Sequence, residues 1–182
     1  KTFVINKADP VVTVTGNTCT YDGATPCAGS GSAKGITNEP LTPVNVAYTV
    51  VAAPPRNPGD LLTTAPVDAG AYQVAARFVG NANYNAKQSA PATITINQAA
   101  STTVVTCPAS VTYSGVAQTP CSASVAGAGG LNLAPTPLYT DNLNAGTATA
   151  AYTYAGDVNH TGSSDSKTFV INKADPVVTV TG

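Results

Sequence analysis

The stretch Ala71-Tyr72-Gln73-Val74-Ala75-Ala76-Arg77-Phe78 decides the fold. Tyr72, Val74, Ala76 and Phe78 fall on every second position, with Gln73 and Arg77 between them. A period of two places alternate side chains on opposite faces of a β-strand, so the apolar set is expected to face a core. A second strand of the same kind places Ala148, Ala150, Tyr152 and Tyr154 on the equivalent face. Large and small side chains have changed places along it, an exchange that close packing tolerates when total volume is kept. Tyrosines alternating along a strand are read as core in preference to a platform for stacking sugars.

Outward from these strands the chain repeats itself. Asp68-Ala69-Gly70 through Gly80-Asn81-Ala82-Asn83 aligns with Asn144-Ala145-Gly146 through Gly156-Asp157-Val158-Asn159, and Thr93-Ile94-Thr95-Ile96-Asn97 with Thr168-Phe169-Val170-Ile171-Asn172. On a larger scale, residues 167–182 repeat residues 1–16 letter for letter, a step of 166 residues. The expected organisation is a first module over 7–97, with an insertion at about 50–66, and a second over 98–172. Residues 1–6 are expected to be the last strand of a preceding repeat and 173–182 the first strand of the next, so that the chain is a window on a longer tandem array.

The rest of the sequence reads as β throughout. Val11-Val12-Thr13-Val14-Thr15, Val44-Asn45-Val46-Ala47-Tyr48 and Ala92-Thr93-Ile94-Thr95-Ile96 are short runs punctuated by Gly, Pro, Asn and Asp, and no stretch carries a helical stripe. Short strands at this spacing predict an all-β chain of two tandem immunoglobulin-like antiparallel β-sandwich modules. The buried Trp that marks many such sandwiches is missing, since the chain has no Trp. Modules this small bury limited surface, so reinforcement is expected.

The four cysteines supply it. Cys19 and Cys27 flank Tyr21-Asp22-Gly23, and Cys107 and Cys121 bracket Tyr113-Ser114-Gly115 in the same way. A chain that doubles back at each Tyr-x-Gly step puts each pair on facing segments, which favours disulfides Cys19–Cys27 and Cys107–Cys121. Four free thiols are the alternative in a reducing compartment. Neither pair has the spacing of a zinc knuckle, and His160 is the single histidine.

Composition excludes further classes. Charged residues make up 9% of the chain and the net charge is −1, against about 25% charged in an average soluble domain. Eight Lys and Arg scattered singly give no basic footprint for nucleic acid. No apolar run approaches the roughly 18 residues that span a bilayer as a helix.

Several stretches resemble a known group. Thr20-Tyr21-Asp22-Gly23 and Thr112-Tyr113-Ser114-Gly115, then Asn144-Ala145-Gly146-Thr147-Ala148, Tyr154-Ala155-Gly156-Asp157-Val158-Asn159-His160 and Lys167-Thr168-Phe169-Val170-Ile171-Asn172 are similar to the bacterial immunoglobulin-like repeats called MBG, mostly β and glycine-containing. The likeness covers both modules. It implies a spacer in large secreted or surface-anchored proteins, with function often lying in other domains.

Candidate sites are few. The insertion carries Pro54-Pro55-Arg56-Asn57-Pro58-Gly59-Asp60 and is expected to protrude as a loop. Gly29-Ser30-Gly31-Ser32-Ala33-Lys34-Gly35 lacks the phosphate-loop spacing and is expected to be a flexible turn. Ser164-Asp165-Ser166-Lys167 has the letters of a serine acyl-enzyme motif without its companions. Asp157-Val158-Asn159-His160-Thr161-Gly162 begins like a calcium loop, but Thr168 stands where the bidentate Glu belongs, and a tight Asx turn is the preferred reading. Asn159-His160-Thr161 is also a glycosylation sequon, meaningful only in a host that reads it. Glu39 is the single glutamate, and no nucleophile has both a base and an orienting partner.

No enzyme activity, cofactor or metal is therefore expected. The expected role is that of a structural repeat unit of an extracellular stalk, surface fibre or filament, acting as a semi-rigid spacer because Asn6-Lys7-Ala8-Asp9-Pro10 and Asn97-Gln98-Ala99-Ala100-Ser101 leave no room for a free tether. The alternative is an adhesive or carbohydrate-binding surface module using the 50–66 excursion. Expected partners are neighbouring repeats of the same chain and, for a filament, lateral or axial copies.

Overall fold

The computed structural model describes residues 1–180; the end of the segment 173–182, read above as the next repeat's first strand, lies outside the described residues at 181 and 182. The chain divides into two units, Lys1–Ala99 and Ala100–Gly182.

The first unit contains β1 (Val11–Thr15), β2 (Asn17–Thr20), β3 (Ser30–Lys34), β4 (Val44–Ala52), β5 (Leu61–Leu62), β6 (Gly70–Phe78), β7 (Lys87–Gln88) and β8 (Ala92–Asn97). A two-stranded sheet, β1-β3, packs on a larger one of order β2-β8-β6-β4-β5, with β7 also on β6. The opening segment thus serves both sheets: β1 runs antiparallel to β3, and after Gly16 β2 runs parallel to β8. Alternation in β6 behaves as the sequence predicts, with Tyr72, Val74, Ala76 and Phe78 buried and Gln73 and Arg77 exposed. Tyr48, Val50 and Ile94 meet one half of this row, while Val12, Ala33 and Leu41 meet the other.

Two expectations are corrected here. Ser30–Lys34 is a strand, not a flexible turn, paired residue for residue with Val11–Thr15. Its glycines reflect close approach: a Cβ on Gly31 would stand 2.6 Å from the Ala76 Cβ, and one on Gly29 2.7 Å from the Thr15 carbonyl oxygen. At Gly31 the strand lies so near the facing sheet that a side chain does not fit, and at Gly29 the neighbouring β1 backbone leaves no room for one. The 50–66 insertion is likewise no free loop. β4 continues to Ala52, the prolines occupy the tip, and the return strand β5 pairs with Tyr48 and Thr49. Asp60 ties the tip down, accepting from the Asn57 N–H at 2.9 Å while its carbonyl accepts from the Val50 N–H at 2.9 Å.

The second unit contains β9 (Ser101–Thr106), β10 (Ser110–Thr112), β11 (Ser122–Gly127), β12 (Asn132–Leu133), β13 (Leu138–Thr140), β14 (Gly146–Tyr154) and β15 (Ser163–Asn172). The single helical feature among the described residues is a 3-10 turn at Ala128–Gly130. Its sheets are β12-β11-β9 and β10-β15-β14-β13. Again the first segment is shared, with β9 antiparallel to β11 and β10 parallel to β15. Each unit is an immunoglobulin-like β-sandwich built by the same rule.

The second core is smaller. Ala148, Ala150, Phe169 and Ile171 are buried, Val105 and Ala123 pack against Ala150, Val125 is also buried, and Tyr152 and Tyr154 are only half-buried. Polar contacts along β9 and β15 supplement it. Ser101 and Thr103 each reach the Ser163 hydroxyl at 2.7 Å, and Asp165 accepts from the Val105 N–H at 2.8 Å.

Candidate functional site

The reinforced turns lie where the opening segment meets the last strand of each unit. Cys19, in β2, is bonded to Cys27 with their Cα atoms 6.0 Å apart, and Cys107, between β9 and β10, is bonded to Cys121 with 4.3 Å between Cα atoms. Among the described residues there is no free cysteine. Between the partners Gly23 and Gly115 take φ of 85° and 82°, the left-handed conformation in which a side chain is strained. Asp22 closes the first turn by accepting from the N–H groups of Ala24 and Thr25 at 2.9 and 2.7 Å. Hydrogen bonds from Thr25 and Ala24 hold its carboxyl down at about 2.

In the second unit Tyr139 anchors the bridge. Its hydroxyl accepts from the Cys121 N–H and donates to the Cys121 carbonyl, both at 2.9 Å, while its ring meets Phe169 edge-on at 6.2 Å. Reading the sequence alone left Tyr139 out, because a tyrosine in a three-residue strand carries no pattern of its own.

A pair of matching loops follows β6 and β14. Asn81 Oδ1 accepts from the N–H groups of Asn83 and Tyr84, and Asp157 Oδ1 from those of Asn159 and His160, so both are Asx turns. Each turn buries its fourth residue, Tyr84 or His160. The Tyr84 hydroxyl donates to Glu39 and accepts from the Ile36 N–H. Hydrogen bonds from Thr37 and Tyr84 pull the Glu39 carboxyl down to about 2. His160 faces Asp157 and the Ala128 carbonyl, and the second Asp157 oxygen accepts from the Tyr154 hydroxyl at 2.8 Å. Among the described residues no group of three His, Cys, Asp or Glu side chains could hold a metal ion.

The remaining candidates are dispersed. Ser164, Asp165, Ser166 and Lys167 lie along β15, where alternate side chains point to opposite faces. Arg56, Thr63, Thr64, Asp68 and Tyr72 border a cavity of about 240 Å³ beside the β4–β5 hairpin. Tyr72 is fully buried there and donates to the Asp68 carbonyl at 2.8 Å, so it offers no ring face to a ligand. Among the described residues no helix is long and apolar enough to cross a membrane.

No protein-family model matches the chain, and no curated protein matches it, so the resemblance to MBG repeats rests on its motifs. Among solved structures the chain is similar to the fibronectin(III)-like modules of CbhA from Clostridium thermocellum, at 14% identity over 90% of this chain and 95% of that one, with a TM-score of 0.28. So low a score carries no argument; the sandwich assignment follows from the strand pairing above.

Proposed function

We propose that the chain is a non-catalytic structural repeat unit of an extracellular stalk, surface fibre or filament of the MBG kind, a semi-rigid spacer whose partners are neighbouring repeats. One observation carries this reading. The sixteen residues that occur twice are used in complementary halves: Phe169 and Ile171 are 1% exposed in β15, while the same letters at Phe3 and Ile5 are each 84% exposed. Conversely Val12 is buried in β1, and its counterpart Val178 is 81% exposed. Apolar segments with a core position in one copy and none in the other are what an array supplies with neighbours. The two disulfides support an oxidising compartment.

Negative-stain images of the parent assembly are expected to show thin beaded rods, and a compact particle would overturn the proposal. A carbohydrate-binding module has less support, because Tyr72 at the hairpin cavity is covered. Specific glycan capture by the chain, lost on Arg56→Ala, would revive it.

A further inference from the structure

We infer that successive repeats meet end to end across one free residue, Lys173 in this chain, so that the far end of a second unit seats on the loop face formed by Ile36, Ala82 and Asn83 of the following copy's first unit. The inference rests on the array reading above.

Asn172 is the last residue held by the second unit. It pairs with Thr112 in the β10–β15 ladder, and its carbonyl accepts from the Tyr113 N–H at 2.9 Å. Ala8 is the first residue held by the first unit. Its N–H donates to the Asn83 carbonyl and its own carbonyl accepts from the Asn85 N–H, both at 2.9 Å. Asn85 Nδ2 also donates to Asp9 at 2.8 Å, and Pro10 is fully buried. Lys7-Ala8-Asp9-Pro10 has the same letters as Lys173-Ala174-Asp175-Pro176. A strand leaving a second unit at Asn172 is therefore caught by the next first unit at the place of Ala174.

Two peptide steps separate the held residues, which keeps their Cα atoms within about 7 Å. Folded ends tethered that closely meet. At the receiving end Ile36, Glu39, Ala82 and Asn83 surround residues 5–7, the positions that Ile171 to Lys173 of a preceding copy take in the array. Ile36 is 76% exposed there. On the second unit, Gly146 pairs with Ile171, which places the 141–146 loop at the end where the chain leaves. Leu143 of that loop and Tyr113 beside Asn172 are exposed apolar residues. Connectivity selects the occupant, a second copy's second unit.

The test uses this chain with residues 17–172 appended after Gly182, so that the repeated segment has both neighbours. Electron–electron resonance distances are measured between labels carried by non-canonical residues at exposed Ser124 and at Lys34 of the appended copy. A narrow distribution is expected, broadening about twofold or more when Gly-Ser-Gly-Ser is inserted after Lys173. Equal breadth with and without the insertion would overturn the inference. Amide exchange across Val177–Val180 tests the array reading separately. Protection there with a broad distribution leaves the array standing and removes the joint, whereas unprotected amides remove both.

Discussion

His160 and Asp157 form a clasp in which the imidazole Nδ1 stands 2.9 Å from the carboxylate, while Nε2 stands 2.9 Å from the Ala128 carbonyl. A carbonyl oxygen and a carboxylate both accept, so both ring nitrogens are matched by donating, as in the protonated ring. Burial presses the His160 pKa down, but the Ala128 carbonyl and the hydrogen bond and charge of Asp157 outweigh it and leave it raised. Burial likewise pushes Asp157 up, and its hydrogen bonds from Tyr154, His160 and the turn N–H groups bring it below its usual range.

A histidine raised in the folded state stabilises fully below its unfolded value, and that contribution fades as pH rises through the folded one. A lowered carboxylate contributes above its ordinary range and loses its effect on acidification. The second unit is therefore expected to be most stable in weak acid. Its melting temperature should fall between about pH 6 and 8, and His160→Gln should flatten that slope. Parallel profiles for the two proteins would show that folding leaves the His160 pKa unshifted, and a stability that rises over this range relative to His160→Gln would show that the ring is held neutral.

Asp165 is expected to matter more than its exposure suggests. It is the partner of the Val105 N–H, and Val105 is 1% exposed. Asp165→Ala should lower the urea midpoint of the second unit, because it removes the acceptor of the Val105 N–H. Ser166→Ala, one residue on, serves as the comparison and should change little.

Gly31→Val should destabilise the first unit by about 1 to 3 kcal/mol or more, because the new side chain would enter the space of Ala76, Val44 and Val46. Ser32→Val, on the exposed side of the same strand, is expected to leave the denaturation midpoint nearly unchanged. Equal effects would mean that the β1–β3 layer does not lie against β6.

How far the fold was legible follows from these residues. Tyr72 to Phe78 declared their faces because alternation is a local property of one strand. Gly31 read as a turn because glycine signals both flexibility and close approach, and only the facing Ala76 distinguishes them. Asp165 was hidden among the letters of a catalytic motif, since its partner lies 60 residues away in sequence. The 50–66 excursion misled for a related reason: its prolines mark the tip, while the pairing of Leu61 and Leu62 with β4 is non-local.

Non-reducing peptide mapping should recover Cys19 with Cys27 and Cys107 with Cys121. Reduction is expected to cost about 2 to 3 kcal/mol per bridge, from the entropy of loops spanning 8 and 14 residues. Four free thiols in protein taken from its native setting would remove the support for an oxidising compartment.

The shared opening strand has a mechanical consequence. In each unit the segment entering the fold runs parallel to the strand that leaves it, β2 beside β8 and β10 beside β15. In the first unit tension applied through the backbone therefore pulls β2 and β8 in opposite directions along their length, loading their evenly spaced hydrogen bonds together instead of one after another. Cys19 lies within β2, so that strand takes the load up to the bridge, whereas Cys107 precedes β10 and its bond to Cys121 carries the tension past that strand. Should a clamp slip, the covalent bridge keeps the loop behind it from paying out, and the chain lengthens by less than its residue count would allow.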